Sequence, residues 1–120
     1  MSRVTIRILV NNKVFLKNAW KALSLGSKMK GLLGTKELKE GEGLLIPDCK
    51  QVHTYFMQYP IDVVFLDSKN KVIKLQTLKP WKISPWIYKA KSVLELPAGY
   101  AKKNKLVSGD QLEVISNDPA

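Results

Sequence analysis

The sequence is built from short apolar runs, rich in β-branched residues, that end at turn signals after about four to six residues. Runs of this length are typical of β-strands, because helices of globular proteins need roughly ten or more residues of 3.6-residue periodicity. Residues 3–10 alternate in the manner of a half-buried strand, Asn11–Lys13 is a turn signal, and Val14–Leu16 is the expected hairpin partner. The pattern therefore predicts a protein made mainly of short strands.

The remaining runs extend this prediction to the C-terminus. Asp67–Asn70 is a turn signal, which makes the two runs beside it a second hairpin. Lys79–Lys89 contains two prolines, each followed by a tryptophan, and is expected to form an ordered loop. Further strands are predicted at Leu44–Ile46, Val52–Met57, Ile61–Asp67, Lys71–Leu78, Ser92–Leu96 and Gln111–Ile115.

One segment departs from the strand pattern. Between Ala19 and Leu33 the apolar residues recur at helical spacing, and Gly34 suits the left-handed position that follows a helix. The spacing predicts a helix of about two to three turns that ends near Gly34. A single helical turn is also expected at Ala98–Lys102.

Together these elements predict a mostly β (α+β) fold of about seven or eight short strands with one main helix. The sheet is expected to be mixed, mostly antiparallel, and curled into a small barrel or sandwich. A length of 120 residues with 45% apolar content predicts one domain, residues 1–120, that is stable without disulfides or a structural metal. Residues 116–120 are expected to fray.

Cysteine usage and the N-terminus bear on the compartment. The single cysteine, Cys49, is typical of a reduced protein. No apolar leader segment follows the N-terminal charges, and no apolar run is long enough to span a membrane. We therefore expect a cytoplasmic protein without a membrane partner.

The formal net charge is +10, which is typical of proteins that bind nucleic acid, anionic membranes or acidic partners. Eighteen of the twenty basic residues are lysine, however, whereas base readout and bidentate phosphate contacts favour arginine. The lysines are also spread along the chain. A solvated lysine surface and a working anion-binding face therefore both stay open.

The segment from Asp48 to Asp67 holds the only cysteine and the only histidine. Asp62 begins a strand that is apolar on both faces, where a carboxylate needs a partner, and His53 is the first candidate. Cys49 and His53 are a weak nucleophile–base pair, because four extended residues span about 13 Å. Both residues could join Asp62 as metal ligands, but no further ligand is evident. We predict no catalytic residue, no metal site and no cofactor, and favour a non-catalytic role. A hydrolytic enzyme using Asp62 with His53 or Cys49 stays an alternative.

Aromatic residues are interleaved with lysines in and after the proline-containing loop. Such a group can form a platform on which flat ligands stack, with a basic rim. Alternatively, the tryptophans pin the loop onto the sheet. The aromatic members are Trp81, Trp86, Tyr88 and Tyr100, and the lysines are Lys79, Lys82, Lys89 and Lys91.

Five stretches of the chain form a characteristic set: Lys30–Gly34, Gly43–Ile46, His53–Met57, Pro60–Asp67 and Val93–Gly99. In this order they resemble the domain of unknown function 192 family, which is also called uncharacterised protein family 0127. The resemblance extends over nearly the whole chain and implies a compact β-rich fold with short helices. It implies no reaction, because the family has no established biochemical activity.

The lead prediction for function is a non-catalytic domain that binds a small ligand in a pocket of mixed polar and apolar residues. Binding of nucleic acid or another polyanion through the lysine-rich face is the first alternative. The identity of the ligand, the protein partners and the oligomeric state are not predicted. The candidate pocket residues are His53, Tyr55, Met57, Asp62 and Glu95, with Trp81 and Trp86 at the rim.

Overall fold

A computed structural model describes residues 3–22 and 37–116 of the chain. Within these ranges the chain forms seven strands and one short helix, and this helix is not long and apolar enough to cross a membrane. The mostly β prediction is confirmed. The strands are β1 (Arg3–Val10), β2 (Lys13–Ala22), β3 (Glu42–Pro47), β4 (Ile61–Leu66), β5 (Val72–Leu78), β6 (Ser92–Pro97) and β7 (Leu112–Ser116), and the helix is α1 (Tyr100–Lys103).

The strands form a single mixed sheet in the order β5-β4-β6-β3-β2-β1-β7. Neighbouring strands are antiparallel except for β2 and β3, so the expectation of a mostly antiparallel sheet is also confirmed. The sheet curls but is not closed into a barrel. Its edge strands β5 and β7 approach each other at one end, where Lys71 and Gln111 form an isolated bridge.

Both predicted hairpins are present. Val10 pairs with Lys13, and the two residues between them, Asn11 and Asn12, have positive φ values of 52° and 64°. This is the geometry of a tight turn that asparagine tolerates and that matches the twist of paired strands. Strands β4 and β5 form the second hairpin, in which the backbone N–H groups of Lys71 and Lys69 donate to Asp67 and lower the pKa of its carboxyl.

The sheet carries an apolar core on each face, because strands β4 and β6 are buried almost throughout. Alternation sorts their side chains as the sequence predicts, with Ile61 and Val63 on one face and Val64 on the other. The first core draws on both edge strands and on α1; it includes Ile6, Ile8, Leu16, Val64, Leu66, Val72, Leu94, Leu96 and Leu112. The second core is covered by loop residues; it includes Leu44, Ile46, Val52, Met57, Ile61, Val63, Phe65, Ala90 and Val93.

The hairpin partner predicted at Val14–Leu16 ends too early, because the first residues of the segment with helical spacing, from Ala19, belong to the strand. Strand β2 continues to Ala22, and Ala19 pairs with Ile6 on β1 and with Gly43 on β3. Helical spacing of small residues is a weak signal, and hydrogen bonding to strands on both sides overrides it. The predicted helix of two to three turns, which ends near Gly34, lies outside the described residues.

The prediction of a strand at Val52–Met57 is also wrong. Only His53 makes a bridge, to Ile83, and the chain turns at Tyr55 and Phe56. Phe56 has a positive φ of 68°, which breaks the alternation and turns Met57 into the second core. Strand β4 therefore pairs with β5 and β6, and not with this segment.

Gly43 gives a test of how tightly β3 is packed between its neighbours. A Cβ atom on Gly43 would lie 2.8 Å from Leu16 Cδ1 and 3.2 Å from the Glu95 carbonyl oxygen. We expect Gly43→Ala to lower the free energy of unfolding by about 1–3 kcal/mol, because overpacking forces neighbouring groups to shift. Urea denaturation measures this, with the exposed turn variant Ser68→Ala as the control. An unchanged midpoint for Gly43→Ala would contradict the packing described.

Candidate functional site

The structure does not gather the seven predicted pocket residues into one site. On β4 and β6, Asp62 is paired with Leu96, whereas Glu95 is paired with Val63. Directly paired residues share a face of a sheet, so Asp62 lies on the side of the first core and Glu95 on the side of the second. Met57 is buried in the second core and does not line a surface pocket.

Asp62 obtains its partners from β5 and α1. The Thr77 hydroxyl donates to Oδ1 at 2.6 Å, and the Ala101 backbone N–H donates to Oδ2 at 3.1 Å. The carboxylate is only 4% exposed, and these two bonds tie three elements together. His53, the partner considered from sequence, is exposed on a different segment.

Cys49 and His53 make local contacts that do not resemble a nucleophile and its base. The Cys49 thiol donates to the Gln51 carbonyl oxygen at 3.2 Å. His53 Nδ1 accepts from the Tyr55 backbone N–H at 3.3 Å. Among residues 3–22 and 37–116, no cluster of three or more His, Cys, Asp or Glu side chains could hold a metal ion. The hydrolytic alternative gains no support from these contacts.

Glu95 is a buried carboxyl group in an apolar environment. It is 3% exposed, its strand neighbours are Leu44 and Val63, and its Oε1 atom has no hydrogen-bond partner among the described residues. Burial raises the pKa of Glu95 to about 8, because the ionised form is poorly solvated there. The side chain is therefore mostly protonated at neutral pH. Alternation indicated its face, but the sequence did not indicate this loss of charge.

Exposed rings form what we call the aromatic surface, on two loops that cover the second core. The His53 and Tyr55 rings are stacked at 4.7 Å, the Tyr55 and Trp81 rings are 6.3 Å apart, and the Phe56 and Trp81 rings are 4.7 Å apart. The same loops carry further rings that are 63% and 80% exposed. We use the name aromatic surface for the four rings in contact, His53, Tyr55, Phe56 and Trp81, together with the exposed Trp86 and Tyr88 further along the same loop.

Thr54 fixes the loops beneath this surface. Its hydroxyl donates to the Lys79 carbonyl oxygen at 2.6 Å and accepts from the Lys82 N–H at 2.9 Å. Its own N–H donates to the Lys82 carbonyl at 2.8 Å, and its carbonyl accepts from the Trp81 N–H at 2.9 Å. Thr54 is fully buried, so these bonds are shielded from water and hold the two loops in register.

Ser84 makes a second junction between the same loops. Its N–H donates to the Val52 carbonyl at 2.9 Å, and its hydroxyl accepts from the Val52 N–H at 3.0 Å. The Ile87 N–H donates to the Lys50 carbonyl at 2.9 Å, further along the same pair of loops. The loops are therefore bonded to each other along most of their length.

Two bulky rings of the aromatic surface stand on strained backbone. Phe56 and Trp81 have φ values of 68° and 63°, in the left-handed region that such residues seldom adopt. Each costs roughly 1–2 kcal/mol, which the surrounding hydrogen bonds must offset. Strain of this kind is concentrated at functional sites in proteins. Nothing in the local sequence predicts the positive φ of Phe56.

The exposure of the tryptophans argues against the prediction that they pin the loop to the sheet. Trp81 and Trp86 are 58% and 63% exposed, and the loop is held by Thr54 and Ser84. Tyr100 does not belong to the surface, since it is buried and its hydroxyl donates to a backbone carbonyl near the first core.

The aromatic surface has a basic border. Residues 48–57 and 79–91 contain five lysines and one aspartate, a formal charge of +4. Lys50 donates to the Tyr88 and Ala90 carbonyls at 2.7 and 2.6 Å, and Lys91 pairs with Asp48 at 3.0 Å. The remaining lysines of the border, all exposed, are Lys79, Lys82 and Lys89.

Comparison with known proteins establishes the family. Residues 11–114 match the family described as DUF192, Uncharacterized ACR, so the chain belongs to this family and the resemblance predicted from sequence is confirmed. A UPF0127 protein of Pyrococcus abyssi is 43% identical over 65 residues, 54% of this chain and 56% of the relative. One from Pyrococcus horikoshii is 39% identical over 62 residues, 52% of this chain and 54% of the relative. The matches thus span a little over half the length of these curated relatives.

Solved structures share the fold. A Novosphingobium aromaticivorans protein of unknown function superposes with a TM-score of 0.76 at 20% identity, over 92% of this chain and 84% of that chain. A Sinorhizobium meliloti protein, which carries the provisional name of a transcription regulator, gives a TM-score of 0.76 at 19% identity over 94% of both chains. At these identities the likeness shows the fold alone.

The contacts of Thr54 predict that the loops depend on its hydroxyl. We expect Thr54→Val to lower the free energy of unfolding by about 1–3 kcal/mol, because two buried backbone groups lose their partner. Hydrogen exchange at the Trp81 and Lys82 amides should accelerate at the same time. Thr54→Ser keeps the hydroxyl and is the control. Unchanged exchange in Thr54→Val would show that the loops are held in another way.

Glu95 predicts a specific dependence of stability on pH. A carboxyl whose folded-state pKa is raised from 4.5 to about 8 binds its proton more tightly in the folded protein. The contribution of Glu95 to the free energy of unfolding therefore falls as pH rises through this interval, by on the order of 1.4 kcal/mol per pH unit. Glu95→Gln removes this titration. The free energy of unfolding of the variant, relative to wild type, should therefore increase by several kcal/mol between pH 4.5 and 8.

Urea denaturation across this pH range measures the gain. Glu113→Gln, an exposed carboxylate on β7, is the control, and its difference from wild type should stay small throughout. If the difference in free energy of unfolding between Glu95→Gln and wild type stayed constant across this pH range, the raised pKa of Glu95 would be contradicted.

Proposed function

We propose that this chain is a non-catalytic binding domain that takes up single-stranded nucleic acid on the aromatic surface. The observation that carries the proposal is a set of solvent-exposed rings held on a hydrogen-bonded scaffold and bordered by lysines. Base stacking on aromatic side chains, combined with a basic path for the backbone, is the usual chemistry of single-strand binding.

The exposed rings need an occupant on energetic grounds. Contiguous exposed apolar patches are uncommon on proteins without a binding partner. The reason is that removing apolar surface from water by contact with a partner is favourable. Here the patch includes Phe56 and Trp81, whose rings are 4.7 Å apart and which are 66% and 58% exposed. The strained backbone of Phe56 and Trp81 adds to the cost, so a role in binding accounts for both observations.

The local charge favours an anionic occupant. A formal charge of +4 on two short loops attracts a polyanion and raises its association rate. Lysine acts as a point charge towards phosphate, which suits contacts that follow a backbone without reading sequence. The ratio of lysine to arginine therefore fits backbone contact combined with stacking.

The shape of the surface favours a single strand over a duplex. Stacking on a protein ring requires an unpaired base, because paired bases already stack on their neighbours. Lys50 to Thr54 runs beside residues 82–87 in extended form, so the rings are spread over about 13 Å. A strip of this length accepts a few successive bases.

Fluorescence anisotropy with a labelled oligothymidylate tests the proposal. We expect salt-sensitive binding, and we expect Trp81→Ala combined with Trp86→Ala to weaken it about tenfold or more, since each stacked base is worth about 1–3 kcal/mol. Val14→Ala removes a 50% exposed apolar group from β2 and should leave the affinity unchanged. No binding at low salt would end the proposal.

A charge-matched pair of triple variants separates the basic border from the net charge of +10. The first variant changes the border lysines to alanine, and the second changes three exposed lysines elsewhere. Local phosphate contact predicts a larger loss of affinity and a shallower salt dependence for the first variant. Equal losses would show attraction by overall charge alone. The variants are Lys79, Lys82 and Lys89→Ala, and Lys13, Lys17 and Lys74→Ala.

A further inference from the structure

An open cleft lies away from the aromatic surface, between the edge strand β5 and the segment that follows α1. Its volume is about 390 Å³, within the range of about 300–1,000 Å³ that is common for small-molecule sites. Leu75, Leu106 and Val107 give it an apolar wall, and Val107 is 57% exposed. Asp62 lines the cleft from β4.

Asp62 is a buried carboxylate whose hydrogen bonds come from two neutral donors. It forms no ion pair with the cationic side chains of the described residues, and its bonds to Thr77 and Ala101 use two of about four acceptor positions. Buried carboxylates are usually paired with a cation, because the neutral donors compensate only part of the lost hydration. Within the cleft, Asp62 therefore favours a cationic group with N–H donors.

The lining of the cleft also contains two basic residues. Lys102 and Lys105 line it, both are exposed, and neither forms an ion pair with an acidic side chain of the described residues. Lys103, the last residue of α1, is instead paired with Glu40 at 2.7 Å. The two unpaired lysines attract an anionic group to the rim.

The backbone at Lys105 is held in a costly conformation. Lys105 has a φ of 59°, its N–H donates to the Lys102 carbonyl, and the Leu106 N–H donates to the Ala101 carbonyl. This is the helix-ending motif in which the left-handed position is usually glycine. A lysine there loses stability that glycine would keep, which suggests a use for its side chain.

We propose that this cleft binds a zwitterionic small molecule with an apolar body, of the class of the α-amino acids with apolar side chains. The ammonium group lies towards Asp62, the carboxylate lies at Lys102 and Lys105, and the side chain packs on Leu75 and Val107. The cleft is separate from the aromatic surface, so binding of an amino acid in the cleft does not depend on binding of nucleic acid.

Two-dimensional amide NMR with L-leucine and L-phenylalanine at millimolar concentration tests the site. We expect shifts at the Thr77, Ala101, Lys102 and Lys105 amides. 4-Methylpentanoate, which lacks the amine of leucine, and 3-methylbutylamine, which lacks its carboxylate, should each bind at least about tenfold more weakly. The proposal is overturned if neither amino acid shifts these amides, or if the truncated analogues bind as well as leucine.

Variants assign each end of the ligand. Asp62→Asn keeps a side chain that can hydrogen-bond to both Thr77 and Ala101. It should weaken amino-acid binding, because the negative charge that faces the ammonium group is lost. The affinity for 4-methylpentanoate, which has no ammonium group, should stay unchanged. Lys105→Gly suits the helix-ending motif, so its thermal midpoint should not fall, yet amino-acid affinity should drop severalfold. Lys105→Arg should restore binding. Unchanged leucine affinity in both Asp62→Asn and Lys105→Gly would refute the assignment.

Discussion

Strands β4 and β6 are buried on both faces, and the rest of the structure follows from the need to cover them. On one side the sheet curls until both of its edge strands contribute to the first core. On the other side residues 48–60 and 79–91 lie over the second core, with Val52, Met57 and Ala90 pointing inwards. Covering loops that bury one side must expose the other, which is where the aromatic surface is found.

The two strands also carry one carboxyl group into each core, and the protein accommodates them differently. Asp62 keeps two hydrogen bonds, from the Thr77 hydroxyl and the Ala101 backbone, and borders the cleft. Glu95 has only apolar strand neighbours, and burial raises its pKa to about 8. A charge can stay in a protein interior when donors reach it, and otherwise the group takes up a proton.

The candidate sites were only partly visible in the sequence. The interleaving of lysines with Trp81 and Trp86 indicated a stacking platform, and the structure shows that both rings are exposed. Phe56 was placed within the strand predicted at Val52–Met57, because alternation cannot foresee its positive φ. The cleft was not visible at all, since its lysines follow α1 and its carboxylate lies about forty residues earlier in the chain.

The sequence by itself determined the strand-rich class, both hairpins and the faces of β4, because turn chemistry and period-two alternation are local properties. It also determined the family, through the motifs from Gly43 to Gly99. Only the tertiary structure decided that Ala19–Ala22 is a strand, that Asp62 bonds to Thr77, and that Glu95 is buried between apolar strand neighbours. Each of these depends on strands that are distant in sequence, and such pairing is fixed by packing and hydrogen bonding across the sheet.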